Sequence, residues 1–409
     1  MLDHAAAVLG RMLTFSGPAD EALSAYFRQN RSLGQKERAF IAEAAFAVLR
    51  RKRSLEAAAG SAKPAALVAA AAMRVLGLSS RAMEGLVEPA LAQRIRSFRA
   101  ESLPQAIRAD LPDWAWERLA AQQGGDEAMR ICQALLNAAP LDLRVNLARI
   151  SREEVLARLL DDGIDAAPTP YSPAGLRLAG KPAINRHRLF QDGLIEVQDE
   201  GSQLLAWLVA PRRGEMVADY CAGAGGKTLA LAMLMRGSGR VYAMDVSAKR
   251  LAAAGPRAAR AGVTNVHTVV LSGDSDAGAK RLAGKLDRVL VDAPCSGFGT
   301  LRRNPDLKWR HSAAAVLELA AKQRAILAAA SRLVKAGGRL VYATCSILRE
   351  ENEDIAERFE SEQPHFRPLA CEELLAAQRI TLDAGRYLRL WPHRHGTDGF
   401  FAAAFERVA

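Results

Sequence analysis

Paired cysteines are what this sequence most plainly lacks. Its five, Cys132, Cys221, Cys295, Cys345 and Cys371, are odd in number, lie far apart and include no Cys-x-x-Cys pair. That argues against a disulfide framework and against a zinc site, so reduced thiols and no structural metal are expected. Long apolar runs are missing too, since no uncharged stretch reaches the roughly 18–20 residues of a bilayer-crossing helix. The first residues, Met-Leu-Asp-His-Ala-Ala-Ala-Val-Leu-Gly-Arg, carry an acid where a signal peptide carries basic charge, and their apolar part is too short for one. A cytoplasmic, monomeric protein is the resulting expectation. No internal repeat and no long disordered segment is visible.

Acidic charge is also in deficit. Against 45 Asp and Glu stand 56 Lys and Arg, a formal net charge of +11 at pH 7. Clustered cationic side chains release counterions from phosphate chains, so this balance fits an anionic partner such as nucleic acid. With 409 residues, half of them hydrophobic, the chain can build two or three domains with separate cores. Residues 1–135 read as a helical domain. Ile41, Ala45, Val48 and Leu49 recur at helical spacing, and Glu37, Arg38, Glu43, Arg50 and Arg51 fall off that stripe. The alanine-rich tract 57–72 holds Gly60 and Pro64, which should break it into two short helices.

Near Pro140 the texture changes to the alternating Leu-Asp-Leu-Arg-Val-Asn-Leu of residues 141–147, followed by a helix capped at Ser151 with Glu154 three residues on. Two more short strands are expected near 176–178 and 194–197, with turns between them over 167–180. A small α+β module over 136–190 then joins the helices to a third region, 191–409. From Gly214 the pattern alternates regularly. Strands are expected at 217–220, 241–244, 266–271, 288–292 and 339–344, with helices at 247–261 and 312–335 and a final pair of strands at 387–391 and 400–406. Such alternation predicts an α/β fold with a parallel sheet covered on both faces.

The chemistry-bearing residues fall at predicted strand ends, where open α/β sheets bind ligands. Asp219-Tyr220-Cys221-Ala222-Gly223-Ala224-Gly225-Gly226-Lys227-Thr228 links the first strand of this sheet to a helix. Its glycines allow close backbone approach to a ligand, and the helix start adds free N–H donors. A dinucleotide fingerprint needs glycine where Thr228 stands, and a P-loop needs it where Cys221 stands. Asp245 follows about 20 residues later, placed to accept ribose hydroxyls, and Asp274 is placed to reach the base of the same nucleoside. A glycine loop and two acids without a phosphate signature suit S-adenosylmethionine better than a nucleotide.

Cys295 and Cys345 follow two strands expected to be neighbours about 5 Å apart, in Pro-Cys-Ser and Thr-Cys-Ser. Carbon 5 of cytosine is a poor nucleophile until a thiolate adds to carbon 6, and the adduct later needs a second, basic group for its collapse. One thiol would attack and the other assist release; spacing leaves open which does which. Asp292 is placed to hydrogen-bond the cytosine edge, with Lys227 orienting the base from the other side. Arg302, Arg303, Lys308 and Arg310 with Trp309 form a basic, aromatic loop of the kind that tracks phosphates and stacks an unpaired base. His393, His395 and Asp398 resemble a metal cluster at first sight and read as a structural turn.

These motifs resemble the Nop/Sun family of RNA (cytosine-5) methyltransferases, most of all its bacterial 16S ribosomal RNA methyltransferase B branch. The matching segments are Leu143 to Asn146, Gln198 to Gln203, the glycine turn, Asp292 to Trp309, Leu340 to Ser346 with Glu351-Asn352-Glu353, and His395 to Phe401. The resemblance implies a class I methyltransferase (Rossmann-like) sheet preceded by the α+β module and by a NusB-like RNA-binding helical domain. It implies S-adenosylmethionine as donor, Cys345 as nucleophile and Cys295 as the aid to release. Cofactor contacts fall to Cys221, Ala222, Gly223, Ala224, Gly225, Gly226, Lys227, Asp245, Arg250, Asp274 and Asp292. The family's turn reads Cys-Ala-Ala-Pro-Gly-Gly-Lys, whereas Gly223-Ala224 stands here for Ala-Pro, a change that loosens the loop. Ribosomal RNA is the expected substrate. The competing expectations are a transfer RNA substrate and a non-catalytic ribosome-assembly factor.

Overall fold

The computed structural model describes residues 1–273 and 277–408. They form two compact units, one of Met1–Ala138 with Thr300–Ala315 and one of Ala139–Gly299 with Val316–Ala409. The first unit is helical. Helices Leu2–Met12, Gln35–Arg50 and Pro64–Arg74 bury Ala5, Val8, Leu9, Ile41, Ala45, Val48, Leu49, Leu67 and Ala70 completely, so the stripe expected around Ile41 does face the core. The alanine-rich tract breaks where expected. Gly60 ends helix Lys52–Ala59 in the left-handed conformation at φ 64°, and Pro64 opens the next helix.

Residues 300–315 belong to this helical unit, although the sequence pattern placed them inside a continuous third region. The last carbonyls of a helix lack intrahelical donors, and the basic segment supplies them to helix Gln35–Arg50. Trp309 Nε1 donates to the Leu49 carbonyl at 2.8 Å and Lys308 Nζ to the Arg50 carbonyl at 2.7 Å, while the Arg50 guanidinium donates to the Arg302 carbonyl at 3.1 Å. A cation at a helix C-terminus also complements the helix dipole. Lys308 is buried, and burial pulls its pKa down to about 8, against the raising charge of Asp110.

The second unit holds two sheets. The smaller has strands β1 (Leu141–Val145), β2 (Ala166–Pro168), β3 (Gly175–Leu178) and β4 (Ile195–Val197) in the order β2-β3-β1-β4, all antiparallel. Helix Arg152–Asp161 covers it, capped by Ser151 Oγ accepting from the Glu154 N–H. Because β4 pairs with β1, this sheet runs past residue 190. The larger sheet has β5 (Met216–Asp219), β6 (Arg240–Asp245), β7 (Val266–Val270), β8 (Leu286–Asp292), β9 (Val334–Thr344), β10 (Phe366–Leu369), β11 (Leu388–Leu390) and β12 (Phe400–Arg407). Its main path is β10-β12-β9-β8-β5-β6-β7, with β11 on β12. Strands β5 to β9 run parallel, and β12 returns antiparallel on β9. This is the Rossmann-like sheet expected from the alternation of strands and helices.

Over 289–291 and 340–343 strands β8 and β9 are buried on both faces, with Val289, Leu290, Val291, Leu340, Val341, Tyr342 and Ala343 fully inaccessible. That is why both read as continuous apolar runs. Two strands, β2 and β10, were not expected from the pattern. Both lie at sheet edges and contain a proline, which weakens a strand signal while an edge tolerates the missing N–H. The helix expected to run to Lys335 ends at Ser331, and β9 begins at Val334, paired with Leu286 ahead of a register shift in β8. The helix expected over 247–261 is two, Ala248–Leu251 and Ala254–Ala261.

If the basic segment caps helix Gln35–Arg50, Trp309→Phe leaves the Leu49 carbonyl without its donor. The expected loss is about 1–3 kcal/mol of stability, measured by urea unfolding of the full chain. Unchanged stability would show that the contact carries nothing.

Candidate active site

The order of the parallel strands reverses at β5, which lies between β8 and β6, and ligands bind beyond the carboxyl ends of strands at such a switch point. The turn after β5 is tied into the sheet. Tyr220 N–H donates to Leu290 O, Ala222 N–H to Met244 O and Gly223 N–H to Asp245 Oδ2 at 2.8 Å. Gly225 adopts φ 82°, and a Cβ there would stand 2.9 Å from the Ala254 Cβ, so only glycine fits. Gly223, at φ 54°, faces open space. From β1, Arg144 reaches across to donate to Gly226 O at 2.8 Å and to Gln198, which gives the Arg-Val-Asn segment a structural reason: it braces the turn. Burial pulls the Arg144 pKa down to about 10.

A cavity of about 550 Å³ opens on this turn, lined also by Asp245, Arg250, Leu271, Asp292, Cys295, Lys322 and Cys345. That volume lies within the range of small-molecule sites, and two carboxylates beside an open glycine backbone suit a cationic sulfonium nucleoside. Asp245 is nearly inaccessible and already accepts from Gly223, from Ser247 N–H at 2.7 Å and from the Arg250 guanidinium. Arg250, expected among the cofactor contacts, thus stands as the ion partner of the acid expected to hold the ribose. Asp274 lies outside the described residues. The Cys221 thiol is pushed well up by burial and by the charges of Asp292, Asp219 and Asp245, so it serves the turn as an un-ionised side chain. Beneath the turn, burial raises the Asp219 pKa to about 7, opposed by the hydrogen bond that Thr228 donates at 2.7 Å.

At the neighbouring strand ends the two thiols meet. Pairing of Asp292 with Ala343 puts the segments after β8 and β9 abreast, and Cys295 Sγ lies 3.4 Å from Cys345 Sγ. Contact with Cys345, burial, and the charges of Cys345 and Glu351 lift the Cys295 pKa well above the usual thiol range, which keeps a proton on that sulfur. Lys227 Nζ donates to Asp292 Oδ2 at 2.7 Å and lies over the Phe400 ring. Burial lowers its pKa, but the Asp292 charge and hydrogen bond, with the Cys345 charge, outweigh this and hold it raised. The site therefore carries a fixed cation beside one thiol and a proton-bearing partner on the other.

The remaining expected residues are placed elsewhere or differently. Lys308 and Trp309 cap a helix in the other compact unit, and Arg302 is buried there. These three side chains are not a free surface for RNA; Arg303 is half-buried and Arg310, paired with Asp306, is exposed. His395 Nδ1 accepts from the Trp391 N–H at 2.8 Å, and among the described residues no three His, Cys, Asp or Glu side chains are grouped to hold a metal. Glu351 stands in the sequence only within the segment Glu351-Asn352-Glu353. Its signal was the repeat of Cys-Ser at two strand ends with a glutamate soon after.

Comparison with known proteins agrees with this geometry. The family model described as 16S rRNA methyltransferase RsmB/F matches residues 206–406, and the RsmF/B-like ferredoxin-like domain model matches residues 111–185. A probable ribosomal RNA small subunit methyltransferase B of Synechocystis sp. is 36% identical over 310 residues, covering 75% of this chain and 69% of the relative. A probable enzyme of the same name from Bacillus subtilis is 34% identical over 326 residues, covering 76% and 72%. The crystal structure of PH0851 superposes over 99% of both chains with a TM-score of 0.80 at 26% identity.

Two outcomes test the site. Gly225→Ala forces a left-handed residue against Ala254, a strain of about 1–2 kcal/mol, and S-adenosylmethionine binding followed by calorimetry should weaken roughly tenfold; unaltered affinity would contradict a tight turn. Asp219 holds its proton more firmly folded than unfolded, so its contribution is present below pH 4 and is lost as pH rises through about 7. Asp219→Asn should therefore gain stability relative to the parent between pH 5 and pH 8, by at least about 1 kcal/mol. A difference independent of pH would contradict the shift.

Proposed function

The chain belongs to the 16S rRNA methyltransferase RsmB/F family, and on that premise we propose that it methylates carbon 5 of a cytosine in small-subunit ribosomal RNA through a covalent cysteine adduct. The observation that carries this reading is the pair of thiols 3.4 Å apart beside the Lys227–Asp292 ion pair and the cofactor cavity. A methyltransferase acting on a more nucleophilic atom would need no such pair.

S-adenosylmethionine, the donor of this family, supplies an electrophilic methyl group when bound. The residues of this chain do the rest. The Cys345 thiolate forms a bond to carbon 6, and the displaced electron pair makes carbon 5 nucleophilic. Asp292, held by Lys227, takes the hydrogen-bonding edge of the cytosine and fixes the ring over the thiol. After transfer, the carbon 5 proton must leave, its electrons closing the carbon 5–carbon 6 double bond while the carbon–sulfur pair returns to Cys345. Cys295 touches the departing sulfur. Its thiol gives that sulfur a proton, and the thiolate left behind takes the proton from carbon 5. The thiol pair ends one proton richer and returns it to solvent.

The names of the relatives favour ribosomal over transfer RNA, and the retained thiols and acids argue against a purely non-catalytic assembly factor. Purified protein with radiolabelled S-adenosylmethionine should label unmodified small-subunit ribosomal RNA. Cys345→Ser should lose transfer to background while still binding RNA, and Cys295→Ser should accumulate a denaturant-resistant protein–RNA adduct. Adduct trapped by Cys345→Ser instead would reverse the two roles, and no transfer to any RNA by the parent would sink the reading.

A further inference from the structure

The most heavily hydrogen-bonded carboxylate near the thiols belongs to a residue that the proposed reaction does not use. Glu351 is fully buried on the short helical turn Arg349–Glu351. Its Oε1 accepts from the Ser296 N–H at 2.8 Å and from Gln323 Nε2 at 3.0 Å. Its Oε2 accepts from the Ser296 and Ser346 hydroxyls, each at 2.5 Å. Ser296 and Ser346 are the residues that directly follow Cys295 and Cys345. One buried carboxylate thus ties together both thiol-bearing segments. A further bond fixes the turn itself, since Tyr342 of β9 donates its hydroxyl to the Glu351 carbonyl at 2.6 Å.

We propose that Glu351 is the positioning residue of the thiol pair, clamping the two Cys-Ser segments at one sulfur–sulfur distance. This rests on the two-thiol reading above. A buried carboxylate is costly unless its lone pairs are filled, and here four donors fill them. Charge-assisted hydrogen bonds of this kind are short and directional, so neither segment shifts without breaking some of them. The carboxylate charge also acts on Cys295, one residue from Ser296, and is one of the causes that raise its pKa. A core serving packing alone would place an apolar side chain here, as a buried charge is seldom the more stable choice.

Two variants separate clamp from charge. Glu351→Gln is nearly isosteric: the amide oxygen can keep the Ser296 N–H and Gln323 bonds, while the amide nitrogen donates to the two hydroxyl oxygens. It removes the charge alone. Ser296→Ala combined with Ser346→Ala removes the two hydroxyl ties and keeps the charge.

In the full chain, the rate of iodoacetamide alkylation of each cysteine is followed against pH by mass spectrometry, beside single-turnover methyl transfer and S-adenosylmethionine binding. For Glu351→Gln the Cys295 alkylation midpoint should fall by half a pH unit or more, and single-turnover transfer should drop at least tenfold with cofactor affinity within twofold of the parent. The double serine variant should lose transfer by a similar factor in kcat rather than KM, with the Cys295 midpoint unmoved. The proposal is overturned if both variants keep the parent's alkylation profile and lose transfer by less than twofold after correction for folded fraction. Should the parent itself transfer no methyl to RNA, the functional reading fails, and the alkylation profiles still decide whether Glu351 governs Cys295.

Discussion

Everything at the site depends on the parallel pairing of β8 with β9. Because Asp292 is in register with Ala343, the two strands deliver their ends side by side, and each end carries an acid or a thiol at the same height above the sheet. Over 289–291 and 340–343 both strands are buried on both faces, so a slip of register would break the packing of apolar side chains on each face. The hydrophobic core therefore fixes the spacing of groups whose chemistry has nothing apolar about it. The cofactor cavity follows from the same sheet, since β5 next to β8 is the point where strand order reverses and where a crevice opens.

Around that frame the polar groups are sorted by charge. Asp245 and Asp292 line the cavity, and each is paired with a cation, Asp245 with Arg250 and Asp292 with Lys227. Cys221, Cys132 and Cys371 are pushed up by burial, which leaves three of the five thiols un-ionised at neutral pH. Cys295 is held protonated by its neighbours. Lys227, whose pKa is held raised against burial by Asp292 and Cys345, stands beside that thiol pair.

Much of this was legible in the sequence. The parallel strands, the glycine turn and the juxtaposition of Cys295 with Cys345 follow from apolar runs, from glycine spacing and from strand ends read as ligand sites. What escaped was decided by contacts between residues far apart in the chain. The basic loop looked like an RNA-tracking surface because Arg and Lys are solvated by default, but Lys308 and Trp309 find the open carbonyls of Leu49 and Arg50, some 260 positions earlier. Strands β2 and β10 hid behind their prolines. Glu351 stood in the sequence only within a matching segment, because the four donors from three segments that give it meaning meet only after folding. The replacement of Ala-Pro by Gly223-Ala224 is accommodated by a left-handed Gly223 facing open space.

The central claim is that Cys345 bonds to carbon 6 of the target base while Cys295 serves its departure. Small-subunit RNA transcribed with 5-fluorocytidine tests it directly, because a fluorine at carbon 5 cannot leave as a proton does, and the adduct stops after methyl transfer. Digestion and mass spectrometry of the trapped complex should find a methylated fluorocytosine bonded to the peptide containing Cys345. A cross-link to Cys295, or the absence of any cross-link from an enzyme that methylates the unfluorinated RNA, would contradict the account.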